Sequence, residues 1–361
     1  MRLLFLGVHG RARSPSQRYR FEQFEPHLRS LGIEVEYSGV LDQREADVFY
    51  GASSSPAKAR IALAALGRRA WSVLPRFLRS KPDVVFVQRE AFFLFNEWAE
   101  RLAAAQAPVV FDFDDAIWIH AISEANQRFA FLKNVEKIPR IARLARTVIV
   151  GNDFLATWAR QHNSNVHVLP TCVDTDVYCP PASRQGRSTI TIGWSGSHST
   201  LAQLRLGLPV LERVKARLGD RVRFRVMGDP RFRHEALGVV GETWTPEAEV
   251  RFLQEMDIGL MPLPDDEWSK GKCGLKALTS MASGAATVLS PVGVNSTIVQ
   301  NGVTGFLPKC DAEWVDVLCR LVDDAALRTR IGAAGRDAVV AGYSVKRWRE
   351  PLAQLLLDAA A

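Results

Sequence analysis

The sequence has few cysteines, no long apolar run and one stretch without any acidic residue. Cys172, Cys179, Cys273, Cys310 and Cys319 form no C-x-x-C pair and no even set. That excludes a disulfide framework and a structural zinc site and leaves reduced, mostly buried thiols. No run approaches the roughly 18 apolar residues that span a bilayer, and the apolar stretch Met1 to Val8, closed by Arg11 and Arg13, is too short for a signal peptide. A cytoplasmic protein is expected. The seven histidines show no H-x-x-x-H spacing, and G-x-S-x-G and G-x-G-x-x-G are both missing, which excludes a zincin helix, a nucleophile elbow and the dinucleotide fingerprint.

What remains is the usage of a folded globular protein: 361 residues, 47% hydrophobic and 24% charged. That length leads one to expect two domains. The net charge of +7 is unevenly placed, since Val48 to Pro82 holds no acidic residue but carries Lys58, Arg60, Arg68, Arg69, Arg76, Arg79 and Lys81. On a helical wheel Leu63, Leu66, Ala70, Val73, Leu74, Phe77 and Leu78 share a face, with Arg68, Arg69, Arg76 and Arg79 opposite and a kink expected at Pro75. This predicts a helix packed on a sheet with a solvated basic face. The same pattern across residues 58–81, with Trp71 and Phe77 near the apolar side, could dock on an anionic membrane surface. No nucleic-acid motif accompanies the charge, so nucleic acid is not an expected partner.

Short β-branched runs at Leu3–Val8, Ile33–Tyr37, Asp83–Gln88, Pro108–Asp112, Thr147–Val150 and Val166–Leu169 alternate with helical patterns. This is the signature of βαβ units and a parallel sheet with ligand loops at the strand carboxyl ends. A Pro-rich stretch follows. A second series begins at Thr189–Gly193 and continues with Val222–Met227, Ile258–Pro262 and Ala286–Ser290. The fold class expected is therefore α/β with two Rossmann-like halves: residues 1–180, a linker at 181–187, and 188–343. The tail from Asp311 to Ala361 reads as helical, interrupted near Gly342, with Pro351 a further possible kink.

Three places could hold chemistry. The strand ending at Ile192 runs into Gly193, Trp194, Ser195, Gly196 and Ser197 and then a helix that Ser199 or Thr200 could cap, a turn whose backbone N–H groups can approach a phosphate. Lys272 and Lys276 are four apart beside Gly274 and Leu275. If a helix starts near Lys272, both stand on one face against the helix dipole and call for an anionic ligand. Asp112, Asp114 and Asp115 end another strand. They are read as hydrogen-bonded carboxylates facing a substrate cleft, with a divalent metal the lesser alternative and helix capping the plainest. Arg18 and Arg20 could face the same cleft.

Ile192 to Ser197, Asp257 to Pro264, Gly271-Lys-Cys-Gly-Leu-Lys276, Ser290 to Asn295 and Asn301 to Phe306, in that order, resemble the GT-B-fold glycosyltransferases of the large retaining family four. The first half agrees through Pro108 to Trp118, Val148 to Asn152 and Leu169 to Asp174. The resemblance implies two Rossmann-like domains facing a cleft, with the C-terminal helix, residues 344–361, returning to the first. It implies a nucleotide diphosphate sugar donor bound mainly by the second domain, an acceptor bound mainly by the first, and no metal cofactor. Carried over by position, Gly193 to Ser197 and Lys272 to Lys276 would hold the diphosphate, and Asp114 stands where many members have a histidine near the sugar. Arg18, Arg20, Asp112 and Asp115 are the acceptor-side candidates. The family's usual two glutamates, eight residues apart, would fall on Gly271 and Thr279, so Thr279 leaves the ribose contact in doubt. The expected acceptor is a lipid-linked or envelope polysaccharide precursor. Two alternatives stay open: a nucleotide-sugar epimerase on the same fold, and a catalytically degenerate sugar-binding module.

Overall fold

The computed structural model describes residues 1–50, 55–74, 81–119, 134–182, 189–197 and 200–361. The chain forms two compact units: residues 1–171 with 271–273 and 348–361, and residues 172–270 with 274–347. Residues 172–180, expected in the first domain, thus pack with the second. Backbone explains the shift: Val173 bridges Ser344, and Arg336 donates to the carbonyls of Thr175 and Tyr178. Most of the expected linker, residues 183–187, lies outside the described residues.

The first unit holds a parallel sheet of β1 (Arg2–Leu6), β2 (Glu34–Ser38), β3 (Val84–Gln88), β4 (Val109–Phe113), β5 (Thr147–Val150) and β6 (Val166–Val168), in the order β2-β1-β3-β4-β5-β6. Every residue of β3, β4 and β5 is buried, as in a parallel sheet covered on both faces. Phe5 of β1 anchors the core, its ring 4.5 Å from those of Phe21 and Tyr37 and 5.8 Å from that of Phe86. A buried Phe contributes roughly 1.5–3 kcal/mol. β1 pairs with β2 on one side and β3 on the other, so strand order reverses between β1 and β3. Loops at such a reversal splay apart and leave a crevice beyond the strand carboxyl ends.

The second unit repeats the scheme with β7 (Ile190–Ser195), β8 (Val222–Met227), β11 (Ile258–Met261) and β12 (Ala286–Leu289) in the order β12-β11-β7-β8, all parallel. Its reversal lies between β7 and β11. A small antiparallel hairpin, β9 (Arg233–His234) with β10 (Val239–Val240), was not legible as strands because each is two residues long. Helices Asp311–Asp323, Ala325–Tyr343 and Val345–Ala360 form the tail, broken at Ser344, and the last runs on through Pro351. Among the described residues no helix is long and apolar enough to cross a membrane.

The basic helix is Ser55–Val73, and its buried face is rotated from the wheel expectation. Lys58, Ala65, Arg69 and Val73 are buried, while Leu63 and Trp71 are 70% and 62% exposed. Arg69 turns inward because three backbone carbonyls await it: it donates to Gly7, Ser38 and Ala91. Arg68 is tied to Val40 and Glu45. Pro75, Arg76, Phe77, Leu78 and Arg79 lie outside the described residues.

Candidate functional site

In the first unit, the alternation of β4 directs Asp112 and Phe113 to opposite faces of the sheet. Arg20, from helix Pro15–Arg20, meets Asp112 with its Nε 3.1 Å from Oδ1 and also donates to the Leu169 carbonyl. Their side chains are 0% and 1% exposed. Burial pushes the Asp112 carboxyl up to about 6 although Arg20 opposes it, and the Asp112 charge outweighs burial to keep Arg20 ionised. Arg20 and Asp112, expected on the acceptor side, are thus an enclosed ion pair. Arg18 is half-buried with its guanidinium 5.1 Å from the Tyr19 ring centroid.

Asp115 is held at both oxygens. Lys272 Nζ lies 2.8 Å from Oδ1 and Arg89 Nη1 3.2 Å from Oδ2. Arg89 follows β3 directly and also reaches Ser16 Oγ at 3.4 Å. Its φ of 63° is left-handed, a conformation costing a non-glycine residue about 1–3 kcal/mol and typical of functional loops. Asp114 is different. Its Oδ1 is enclosed and has no hydrogen-bond partner among the described residues. Burial, then the charge of Asp115, raises its carboxyl above the ordinary range, while Arg89, the Ser16 hydroxyl and Arg20 pull the other way. An enclosed carboxylate oxygen without a donor marks a place for a proton or a ligand hydroxyl. Nearby, burial and the positive charge of Arg89 hold the His9 imidazole down to about 4; Gln17 fixes that turn by bonding both the His9 N–H and carbonyl.

Residues 271–273 fit this end of the unit closely. A Cβ on Gly271 would stand 2.8 Å from the Ala116 Cβ and 2.9 Å from its nitrogen, so the position has no room for a side chain. Asn152 caps helix Asp153–Ala159 and donates to the Lys272 carbonyl at 3.0 Å. Cys273 donates its thiol proton to the Asp114 carbonyl at 3.1 Å, and burial raises the thiol well above its usual range. Lys272 and Lys276 therefore do not share a helix face. The helix is Leu275–Ala282, its N-cap Gly274 left-handed at φ 72°, and Lys272 precedes it in the grip of Asp115.

In the second unit, Lys276 occupies the first turn of that helix. Its Nζ lies 3.2 Å from Gln203 Oε1 and 5.3 Å from the Trp194 ring centroid, a cation–π distance. Trp194 is 1% exposed, and its Nε1 has no partner among the described residues. The glycines of the preceding turn answer to packing. A Cβ on Gly193 would sit 2.1 Å from Met256 Sδ, and one on Gly196 2.3 Å from the Trp194 ring. Gly228, at φ 126°, passes so close to the Gly196 carbonyl that a Cβ would come within 1.5 Å of it. Ser195 is half-buried and Ser197 exposed at the strand end. Thr200 takes the N-cap position of helix Leu201–Leu218 but bonds the Ser197 carbonyl instead of capping, and Ser199 lies outside the described residues. Leu275 is half-buried, and the Thr279 hydroxyl is used by its own helix, donating to the Leu275 carbonyl at 3.0 Å. Among the described residues no group of three His, Cys, Asp or Glu could hold a metal; the cations on Asp112 and Asp115 already occupy those carboxylates.

Sequence reasoning missed Ser16, His9, Arg89, Gln203 and Gly228. Arg89 alone carried a usable signal, its place immediately after a strand that faces the sheet reversal.

Residues 189–324 match the family model of the glycosyl transferases group 1. The match falls on the part of the chain that carries Trp194, Gln203 and Lys276. No curated protein matches the sequence. Among solved structures, sucrose-phosphate synthase from Thermosynechococcus elongatus is similar at TM-score 0.70 and 15% identity, covering 100% of both chains. HepE of Anabaena in complex with UDP-glucose is similar at TM-score 0.68 and 15% identity, covering 99% of this chain and 100% of that one. A point mutant of S. aureus TarM in complex with fondaparinux, α-GlcNAc-glycerol and UDP gives TM-score 0.60 at 14% identity, over 82% of this chain and 59% of that one. The fold is that of the GT-B glycosyltransferases.

Proposed function

We propose that the chain is a retaining glycosyltransferase of family four that moves a sugar, a hexose in our reading, from a nucleotide diphosphate donor to an acceptor hydroxyl. The observation that carries this is the group 1 match over residues 189–324 together with Lys276 at a helix N-terminus beside Trp194. HepE, with its UDP-glucose, supports a nucleotide sugar as donor. The acceptor proposed is a lipid-linked or envelope polysaccharide precursor, and a saccharide acceptor agrees with the α-GlcNAc-glycerol in the TarM complex.

The chemistry follows from where charge develops. As the bond between the anomeric carbon and the diphosphate oxygen breaks, negative charge grows on the leaving group. Lys276 and the first-turn N–H groups of helix Leu275–Ala282 are fixed partners for that charge, with Ser195 and Ser197 as further candidates, since the Gly196 N–H already bonds the Met227 carbonyl. The acceptor oxygen forms the new bond to the anomeric carbon, and Asp114 takes its proton. Thr279 lacks a free hydroxyl for the ribose in this reading, and Gly193 and Gly274 act through backbone shape. The reaction needs no metal, because cations and N–H groups supply the compensation; full activity in EDTA is expected, and loss restored by Mn²⁺ would overturn that part.

A location on the cytoplasmic face of a membrane is also proposed. It is supported by Leu63 and Trp71, exposed on the helix that carries Arg60, in a stretch of sequence without acidic residues. The deciding experiment is a thermal-shift screen of UDP, GDP, ADP and dTDP sugars followed by product analysis. A donor at 100 times its Kd adds about 2.7 kcal/mol. Release of nucleotide diphosphate with sugar transferred is expected. An isomerised nucleotide sugar would instead mean an epimerase, and binding without turnover a sugar-binding module.

A further inference from the structure

Lys272 is the residue whose surroundings least fit the part of a donor ligand. Its ammonium is 2.8 Å from Asp115 Oδ1, with the two side chains 17% and 16% exposed. Each residue of its segment is fixed to the loop that ends β4. Gly271 is packed on Ala116 too tightly for any side chain, Lys272 is on Asp115, and Cys273 is on the Asp114 carbonyl. From the other side Arg89, in its left-handed conformation, takes the second oxygen of Asp115. The neighbouring Asp114 keeps Oδ1 enclosed and unpartnered among the described residues.

We propose that Lys272 is a positioning residue: together with Arg89 it clamps Asp115, and Asp115 so held sets the ionisation and aim of Asp114. The geometry gives Lys272 no need of a phosphate, since a carboxylate already compensates its charge. The groups that act on Asp114 are Asp115 and Asp112 from its own strand end, Arg89 from the loop after β3, Ser16 and Arg20 from helix Pro15–Arg20, and Cys273. After burial, the charge of Asp115 is what most disfavours a charged Asp114, and Lys272 is, with Arg89, a cation that balances Asp115.

The signs follow. Lys272→Met leaves the Asp115 charge less balanced, so Asp114 keeps its proton to higher pH. Asp115→Asn removes that charge, so Asp114 loses its proton at lower pH. The proposal rests on the transferase reading only in its kinetic arm, and the protonation arm needs no activity. In that arm, carbon-13 NMR of the aspartate carboxyls is followed against pH in the full-length protein, with Asp114→Asn assigning the signal. Opposite displacements of about one pH unit are expected for the two variants, the usual size for a charge a few ångströms away. The acid limb of transfer should move by the same amounts, about tenfold in rate at a fixed pH on that limb. Donor KM should stay within about twofold, and Lys272→Arg should behave like the wild type. Displacements in the same direction, or an unmoved Asp114 signal with donor KM raised more than about tenfold, would overturn the proposal and return Lys272 to the donor. If the wild-type protein transfers no sugar, the functional reading falls while the NMR titration still decides the clamp.

Discussion

At the carboxyl end of β4 the first unit gathers carboxylates and matches them with cations brought from distant sequence: Arg20 on Asp112, Arg89 and Lys272 on Asp115. At the carboxyl end of β7 the second unit offers something else: tightly packed glycines, an indole N–H with no partner among the described residues, and Lys276 beside an amide oxygen and an aromatic face. Both sheets are parallel, both reverse strand order beside their first strand, and both present loops at the same kind of edge. Topology therefore supplies the crevice in each, and side chains decide the chemistry. A region whose charges are mutually compensated can hold a carboxylate in a chosen protonation state. A region with a lysine in the first turn of a helix is suited to an arriving anion.

The largest effect should come from breaking the compensation in the first unit. Arg20→Met strands Asp112 without its cation and should cost about 3–5 kcal/mol in urea unfolding, whereas Arg20→Met with Asp112→Leu should recover most of it. A single variant as stable as the wild type would show that the enclosed pair is absent. In the second unit the complementary test is Lys276→Ala. Its kcat should fall on the order of 10²- to 10³-fold, roughly 2.7–4 kcal/mol of transition-state stabilisation, with little change in melting temperature. Unaltered turnover accompanied by a lowered melting temperature would make Lys276 structural and remove the contrast between the units.

A smaller effect concerns His9. With its folded value about 4 against an unfolded value near 6.5, the unfolded chain takes up the proton first as pH falls. Stability should be unaffected by His9 above about pH 6.5 and decline between there and pH 4, by at most about 3 kcal/mol. Denaturation curves at pH 7 and 4.5 should show a shallower decline for His9→Gln; an equal decline would mean His9 titrates normally. The smallest effect is expected at the surface of helix Ser55–Val73. Arg60→Gln should weaken binding to anionic vesicles by about 1 kcal/mol, and binding should fade as salt rises. Equal sedimentation of both proteins with vesicles would leave that face merely solvated.

The alternation of β-branched runs with helical patterns was enough to read both sheets, because burial on both faces leaves near-continuous apolar strands such as Val84–Gln88 and Val109–Phe113. The helix Ser55–Val73 shows where pattern fails. Its wheel assigns Arg69 to solvent, yet a long side chain can cross the buried face when backbone carbonyls at Gly7 and Ala91 are there to receive it. Those carbonyls belong to strand-end loops far away in sequence, so no local window contains them. The sequence suggested that Arg20 faces the same cleft as Asp112 but not that the two form an enclosed pair, for the same reason, and the left-handed φ of Arg89 has no marker in an arginine side chain.

By itself the sequence determined what local periodicity and glycine-bearing turns can encode: two α/β halves, a helical tail, and carboxylates and lysines placed at strand ends. Only the tertiary structure decided which of those charges meet. A carboxylate's behaviour depends on the cations and the burial around it, and these arrive from separate elements once the strands are in register. Thus Asp112, Asp114 and Asp115, within four residues of the chain, became an ion-paired anchor, a carboxylate with an oxygen unclaimed among the described residues, and the clamp's jaw. Lys272 and Lys276, four apart in sequence, went to different units because Gly274 turns the backbone between them.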